Sequence, residues 1–282
     1  MKLLVFGQSG QVARELLRRC PRDVAPVFVG RDVADLSAPE QCARVIGASG
    51  AHAVINAAAY TAVDDAEFNS DAARDVNVRG AMNVANACAG TGARLVHVST
   101  NYVFDGLATS PYSENATTNP RSAYGRSKLE GELAVRSAHR DGTTVVRTAW
   151  LYGAGGPSFV ATMLAKARAG DPVSVVTDQI GQPTWTRDLA ERIRLLLDVA
   201  PGTFHATNSG ACSWWDLAVA IYEEVGAPTT LVGQTTSDAF VRPAQRPAYS
   251  VLGDDAAQSA GLPAMPPWRD ALGKALRADF SL

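Results

Sequence analysis

The chain has 282 residues, 46% of them hydrophobic and 19% charged, with a formal net charge of −2 and a pI near 6.1. That length suits one large α/β domain, or a core domain with a smaller lobe. The near-neutral balance argues against a nucleic-acid or acidic-membrane surface, and no apolar run approaches the roughly 20 residues that span a bilayer. The N-terminus enters a strand directly, without a signal-peptide cleavage region. Cys20, Cys42, Cys88 and Cys212 are scattered, with neither a Cys-x-x-Cys pair nor zinc-type spacing. Reduced, buried thiols in a cytoplasmic protein are the expectation.

Lys2 to Phe6 is a short apolar run, followed by Gly7-Gln-Ser-Gly10-Gln-Val-Ala13 and then the helical pattern Arg14 to Arg19. A strand, a tight glycine turn and a helix N-terminus together make a pyrophosphate site. The glycines admit close backbone approach, and the helix dipole favours negative charge. Ala13 falls where helix and sheet want a small side chain between them. The next strand, Ala25 to Val29, ends in Gly30-Arg31-Asp32, with Asp35-Leu36 beyond. In a fold of this type that strand end meets the adenosine ribose. Arg31 suits a 2′-phosphate and Asp35 a free 2′-hydroxyl, so NADPH is favoured and NADH stays open.

A helix near Pro39–Ile46 leads to a third strand, Ala53–Ile55, and then to Asn56-Ala57-Ala58-Ala59-Tyr60-Thr61, small residues suited to a loop beside a cofactor. Asp64 to Ala89 carries helical spacing up to Gly90. Its central Asn77 can position a water near Lys128 or simply cap a neighbouring backbone group. The apolar run Arg94 to Val98 breaks into Ser99-Thr100-Asn101-Tyr102-Val103-Phe104-Asp105-Gly106, and the Pro111–Pro120 stretch reads as a mobile polar segment.

The helix from about Ser122 to Arg140 contains Tyr124-Gly-Arg-Ser-Lys128. Tyrosine and lysine four apart sit one above the other on one helix face, so an ammonium can lower a phenol pKa that starts near ~10. With the Thr100 hydroxyl at the preceding strand end, this set can move a proton on or off an alcohol or carbonyl oxygen. The spacing alone is a weak signal, common on amphipathic helices. Its weight comes from the glycine turn upstream.

Thr143 to Arg147 is a further strand, and Thr148-Ala-Trp150-Leu-Tyr152-Gly153 leaves its end. The βα alternation predicts an α/β fold, a Rossmann-type doubly wound parallel sheet, with ligands beyond the carboxyl ends of the strands. Past Gly153 the rhythm loosens. Helices are expected over Phe159–Ala169, Thr186–Leu197, from the N-cap Ser213 to Val225, and near Pro267–Arg277, with strands at Val173–Val176 and Gly202–Ala206. We expect residues 1–152 to form the dinucleotide-binding domain and 153–282 a smaller C-terminal substrate-binding lobe, with about 173–206 returning to the first domain. Arg242 and Arg246, in a Pro-broken basic segment, suit a diphosphate.

Together, the Gly7–Ala13 turn, Asn56-Ala-Ala-Ala59, Ser99-Thr100, Tyr124-x-x-x-Lys128 and Arg147-Thr-Ala-Trp150 resemble the extended short-chain dehydrogenase/reductases. More narrowly, Gly7-Gln-Ser-Gly10-Gln-Val12, Asn-Ala-Ala-Ala-x-Thr-Ala-Val-Asp, Ser-Thr-x-Tyr-Val-Phe-Asp-Gly, Asp-Gln-x-Gly-x-Pro-Thr and Arg-Pro-x-x-Ser-x-Leu are similar to motifs of the dTDP-4-dehydrorhamnose reductases, in the family's order as far as Leu252. The resemblance implies reduction of the C4 ketone of a dTDP-4-keto-6-deoxy-L-sugar by NADPH or NADH. Tyr124 would donate the proton, Lys128 would lower its pKa and hold the nicotinamide ribose, and Thr100 would align the carbonyl. Gly7, Gly10, Gln11 and Val12 would take the pyrophosphate, Arg31, Asp35 and Leu36 the adenosine end, and Ala57 to Thr61 with Val98 the cofactor's middle. Thr100, Asn101, Trp150 and Arg246 would face the substrate. A homodimer follows from family behaviour. Some members bind magnesium, but only Glu15 matches that set, and no metal is expected.

One residue departs from the family pattern: Asn101 replaces an aspartate, which puts the identity of the sugar in question. The related dehydratases carry an Asp-Glu pair after the threonine, so Asn101-Tyr102 argues against dehydration. A sibling reductase of a talose-type or antibiotic sugar is the nearer alternative, and a non-catalytic regulatory subunit the more distant one.

Overall fold

Six short runs of mostly β-branched and aliphatic residues pair side by side into one parallel sheet, and helices cover both of its faces. The computed structural model describes residues 1–19 and 24–281, so the expectation for Cys20 lies outside the described residues. In chain order come β1 (Lys2–Phe6), α1 (Gln11–Arg19), β2 (Ala25–Val29), α2 (Pro39–Ser49), β3 (Ala53–Asn56), α3 (Ser70–Arg74), α4 (Ala81–Thr91), β4 (Arg94–Thr100), α5 (Ala123–Ala138) and β5 (Thr143–Thr148). Then follow β6 (Leu151–Tyr152), α6 (Phe159–Ala169), β7 (Val173–Val176), β8 (Ile180–Gly181), β9 (Thr184–Trp185), α7 (Thr186–Leu196), β10 (Thr203–His205), β11 (Cys212–Ser213), α8 (Trp214–Glu224), β12 (Val232–Thr235), α9 (Asp255–Ser259) and α10 (Trp268–Asp279).

The central sheet runs β10-β5-β4-β3-β1-β2, with every pairing parallel. This is the doubly wound Rossmann-type arrangement. Successive side chains leave a strand on opposite faces, and both faces are covered. Leu3, Val5, Ile55, Val96 and Val146 pack under α1 and α7, against Leu16, Leu189 and Ile193. Leu4, Phe6, Val54, Leu95 and Val145 pack under α2, α4 and α5, against Ile46, Val84 and Val135. Pro26 lies in β2, at the sheet's edge, where a missing N–H costs no internal ladder bond.

A second apolar core lies outside the sheet. It joins α6, α8 and α10 through Met163, Leu164, Leu217, Ile221, Leu272 and Leu276, with Trp185 and Tyr152 buried among them. Ser213 starts α8 with a full capping box, its hydroxyl bonded to the Asp216 N–H while the Asp216 carboxylate accepts from the Ser213 N–H. Within the stretch 173–206, α7 packs on the central sheet and β10 is its edge strand. However, β7 pairs with β12 and stays with the second core, because Val175 and Val232 are buried there.

Two further expectations are corrected. The pattern from Asp64 to Ala89 is not one helix: a 3-10 turn (Asp65–Glu67), α3, a wider π-type turn (Asp75–Gly80) and α4 follow in succession. The extra backbone in the wide turn brings Asn77 out of helical register and against α5. Nor does the Pro111–Pro120 segment lie free. Tyr112 stacks on Phe104 at 4.3 Å and donates its N–H to the Val251 carbonyl, while Glu114 is buried. Cys42, Cys88 and Cys212 are buried free thiols. No helix among the described residues is long and apolar enough to cross a membrane.

The wide turn and α5 touch backbone to backbone at Gly131, where a methyl group would overlap the Asn77 carbonyl oxygen. Gly131→Ala is therefore expected to cost about 1–3 kcal/mol through overpacking, measured as a lower urea midpoint at unchanged slope.

Candidate active site

The strand order reverses beside β1, because β2 and β3 flank it on opposite sides; the carboxyl ends of β1 and β3 therefore open into a crevice. Gly7 leaves β1 at φ +101°, and a Cβ there would stand 2.9 Å from the Ala58 nitrogen. Only glycine suits both the conformation and the approach. The Gly10 N–H closes the turn on the Gly7 carbonyl at 2.8 Å, and α1 begins at Gln11, where the first backbone N–H groups lack partners within the helix. Gln11 buries an amide nitrogen that has no partner, which leaves a donor at this turn. Val12 is buried in the sheet core rather than open to a ligand through its side chain.

The Ala57–Thr61 loop is partly exposed along the crevice. Asn56 holds its start by accepting the Ala58 N–H at 3.2 Å. Asn77 holds its middle: the side-chain oxygen accepts the Tyr60 N–H at 2.9 Å, and the nitrogen donates to the Tyr60 carbonyl and to Ser127 Oγ at 3.1 and 2.9 Å. Asn77 thus caps backbone and ties the loop to α5, with its amide fully engaged. Arg31 and Asp35 are not alternatives but a pair, 3.2 Å apart at the surface. Leu36 is buried against Gly80, where a Cβ would meet it at 2.8 Å.

The buried stripe of α5 is Tyr124, Lys128, Glu132 and Val135, at the spacing of one helix face. Ser122 caps the helix by accepting the Gly125 N–H at 3.0 Å, which sets Tyr124 at its first turn. Tyr124 receives the edge of Tyr102 at a centroid distance of 5.6 Å. Its phenol is not lowered by the ammonium, as the spacing suggests. Burial pushes it up to about 12, against a smaller downward effect from its hydrogen bond with Thr100. The Lys128 ammonium donates to the Val98 carbonyl at 2.8 Å. Burial lowers Lys128 to about 8, partly offset by the Glu132 charge. Thr100 also bonds the Asn101 side chain at 3.1 Å and accepts the Tyr102 N–H at 3.2 Å.

Sequence reasoning missed what lies beneath this stripe. Glu132 and Arg147 form a buried ion pair, with Arg147 Nε at 3.0 Å and Nη2 at 2.7 Å from the carboxylate. Ser99 donates to the same carboxylate at 2.5 Å, and Arg147 Nη1 reaches the Glu114 carbonyl at 3.2 Å. The signal was present, since Glu132 follows Lys128 by one helical turn, but nothing local named its partner.

Thr100 and Thr148 are register partners on β4 and β5, so Asn101 and Trp150 leave neighbouring strand ends. Asn101 is buried, and its amide nitrogen has no partner. Trp150 adopts φ +46° and stacks on Trp214 at 3.5 Å, a contact the sequence did not indicate. Trp214 in turn lines a cavity of about 850 Å³ together with Phe159, Gln179, Phe240, Arg242 and Arg246. Arg246, one of the two arginines expected to suit a diphosphate, is paired with Asp64 at 2.8 Å.

A doubly wound sheet, a glycine turn at its switch point and a buried Thr-Tyr-Lys set define an extended short-chain dehydrogenase/reductase. The family model described as RmlD substrate binding domain matches residues 1–280. A dTDP-4-dehydrorhamnose reductase of Streptomyces griseus is 44% identical over 276 residues, covering 95% of this chain and 91% of the relative. A probable dTDP-4,6-dihydroxy-2-methyloxan-3-one 4-ketoreductase of Streptomyces antibioticus is 44% identical over 280 residues, covering 98% and 94%. A solved dTDP-4-dehydrorhamnose reductase of Bacillus anthracis in complex with NADP is 34% identical, with a TM-score of 0.93 and 98% of each chain covered. This chain belongs to the dTDP-4-dehydrorhamnose reductase family.

Replacing Glu132 by Gln leaves the Arg147 guanidinium buried and short of its counter-charge. We expect a loss of about 3–5 kcal/mol in stability, seen in urea denaturation. Glu132→Gln combined with Arg147→Met should recover part of it.

Proposed function

We propose that this protein reduces the C4 ketone of dTDP-4-dehydro-L-rhamnose to dTDP-L-rhamnose with NADPH. The observation that carries the reading is the buried Thr100, Tyr124 and Lys128 set, at the strand end next to a dinucleotide cradle, in a chain of this family. The cradle fits the cofactor: Gly7 and Gly10 present backbone without side chains, the N-terminus of α1 favours phosphate, and Gln11 holds an unpartnered donor there. Gly7, Gly10, Gln11 and Val12 would hold the pyrophosphate through backbone and amide, Arg31, Asp35 and Leu36 the adenosine end, and Ala57 to Thr61 with Val98 the middle. When bound, the cofactor supplies the hydride.

The protein's own part is proton delivery and orientation. With a phenol raised to about 12, Tyr124 is protonated at neutral pH and is an acid for a developing alkoxide. Thr100, bonded to Tyr124, aligns the carbonyl oxygen beside it. Lys128 places a positive charge in the same water-poor site, anchored on the Val98 carbonyl, where it would hold the nicotinamide ribose. Asn101 offers a donor where the family has an acceptor, and Trp150 with Trp214 gives an aromatic wall.

The cavity beyond Trp214 suits the nucleoside diphosphate, with Arg242 and Arg246 for phosphate and aromatic rings for the base. The division that supports this reading assigns residues 1–152, with α7 and β10, to the cofactor and most of 153–282 to the substrate. On family resemblance alone we add a homodimer and a cytoplasmic location; sedimentation tests the first. Asn101 and the 44% identical 4-ketoreductase favour one second reading, reduction of another dTDP-4-keto-6-deoxy sugar.

The test is a coupled assay of dTDP-4-keto-6-deoxyglucose and a 3,5-epimerase with NADPH, then NADH, and product identification by NMR. Formation of dTDP-L-rhamnose is expected. No oxidation of a cofactor that demonstrably binds overturns the rhamnose assignment. Tyr124→Phe should lower kcat by about 10²–10⁴-fold with NADP⁺ binding retained. The Lys128 ammonium loses its proton as pH rises through about 8, so NADP⁺ affinity should be constant below that pH and weaken above it, as titration at pH 7 and 9 would show.

A further inference from the structure

Asp64, Asp65 and Glu67 crowd one short loop, yet proton transfer uses none of them. Asp65 meets the Tyr60 hydroxyl and accepts from Asn69 at 2.8 Å. Glu67 accepts the Ala123 N–H at 2.7 Å and so steadies the start of α5. Asp64 bonds instead to the distant segment around Arg246. Its two oxygens take hydrogen bonds from Arg246 Nη1 at 2.9 Å and Nη2 at 2.8 Å, and Oδ1 also accepts the Ala244 N–H at 3.2 Å. Arg242 stands 3.7 Å from Oδ2 with its side chain 59% exposed.

The bonds that tie Ala244 and Arg246 to distant parts of the chain end on this one carboxylate. On either side the segment has other anchors. Ser237 is bonded to Asp178 at 2.9 Å, and Pro247 is packed against Gly106. Between them Phe240 and Val241 are exposed, at 45% and 94%. Arg246 borders the large cavity and also a small recess shared with Tyr102 and Ser122, beside the edge contact between Tyr102 and Tyr124. A bidentate guanidinium–carboxylate pair fixes the plane of the arginine as well as its place. Burial pushes the Asp64 carboxyl up, but the Arg246 and Ala244 bonds outweigh it and hold it below the ordinary range, so it is charged at neutral pH.

We infer that Asp64 is a positioning residue for the substrate's diphosphate: it fixes Arg246 in the cavity wall and leaves the exposed Arg242 to close on the phosphates. The assignment rests on the nucleotide-sugar reading above. It also links the two sides of the cleft, since Asp64 follows directly on the Ala57–Thr61 loop proposed for the cofactor.

The experiment uses the full chain, with dTDP as the probe in calorimetric titrations, alongside NADP⁺ titrations, melting temperatures and steady-state kinetics. Asp64→Asn should weaken dTDP binding about tenfold and raise KM to match, with kcat within about twofold and NADP⁺ affinity unchanged. Asp64→Glu, which keeps the charge, should recover part of the affinity. Unchanged dTDP binding in Asp64→Asn overturns the assignment. So does a loss shared equally by dTDP and NADP⁺ with a lower melting temperature, which would make the carboxylate a mere brace. If the wild-type protein binds NADP⁺ but not dTDP, the nucleotide-sugar reading itself falls, and the role of Asp64 with it.

Discussion

The ion pair between Glu132 and Arg147 is the contact on which the arrangement of the site depends. It is closed from water, and both charges are satisfied by more than each other: Ser99 bonds the carboxylate, and the Glu114 carbonyl takes a guanidinium nitrogen. Through these four residues one knot joins β4, β5, α5 and the Pro111–Pro120 segment. A buried pair of this sort adds little net stability compared with apolar side chains of the same size, because desolvation consumes most of its Coulomb energy. Its effect is geometric. With β4 and α5 tied one turn away, Thr100 at the strand end and Tyr124 and Lys128 on the helix have little room to drift apart.

That constraint also accounts for the electrostatics of the stripe. Tyr124 and Lys128 are both removed from water, which disfavours the charged form of each and moves their pKa values in opposite directions, the phenol up and the ammonium down. The Glu132 charge opposes the fall in Lys128. Burial, and after it the Lys128 charge, hold the nearby His97 imidazole well below its ordinary range, so His97 stays neutral and serves as a bonding partner for Asn56. A short polar array is thus held with its phenol protonated, the form that the proposed proton donation requires.

Much of this was legible in the sequence wherever it depends on neighbours along the chain. The strand-turn-helix at Gly7, the one-turn spacing of Tyr124 and Lys128, and the Ser213 cap are local patterns, and each element formed where its residues indicated. What was not legible depends on pairings between distant positions. Asp64 and Arg246 are 182 residues apart, and Trp150 stacks on Trp214 across the edge of the second core. The pattern from Asp64 to Ala89 misled for a related reason: apolar spacing reports which face is buried, not that one turn widens so that Asn77 can hold the Tyr60 backbone. The direction of the Tyr124 shift differs because spacing sets distance along a helix but says nothing of how deeply the phenol is buried, and burial is what raises it.

Proline at position 26 has a meaning beyond the fold it permits. An open strand beside a flat sheet is a template on which a foreign strand can dock, and exposed Val27 would make this one adhesive. A residue with no N–H removes one rung from that template while leaving the pairing with β1 intact. The margin of the sheet is thereby less able to recruit a foreign strand than an unbroken ladder edge would be.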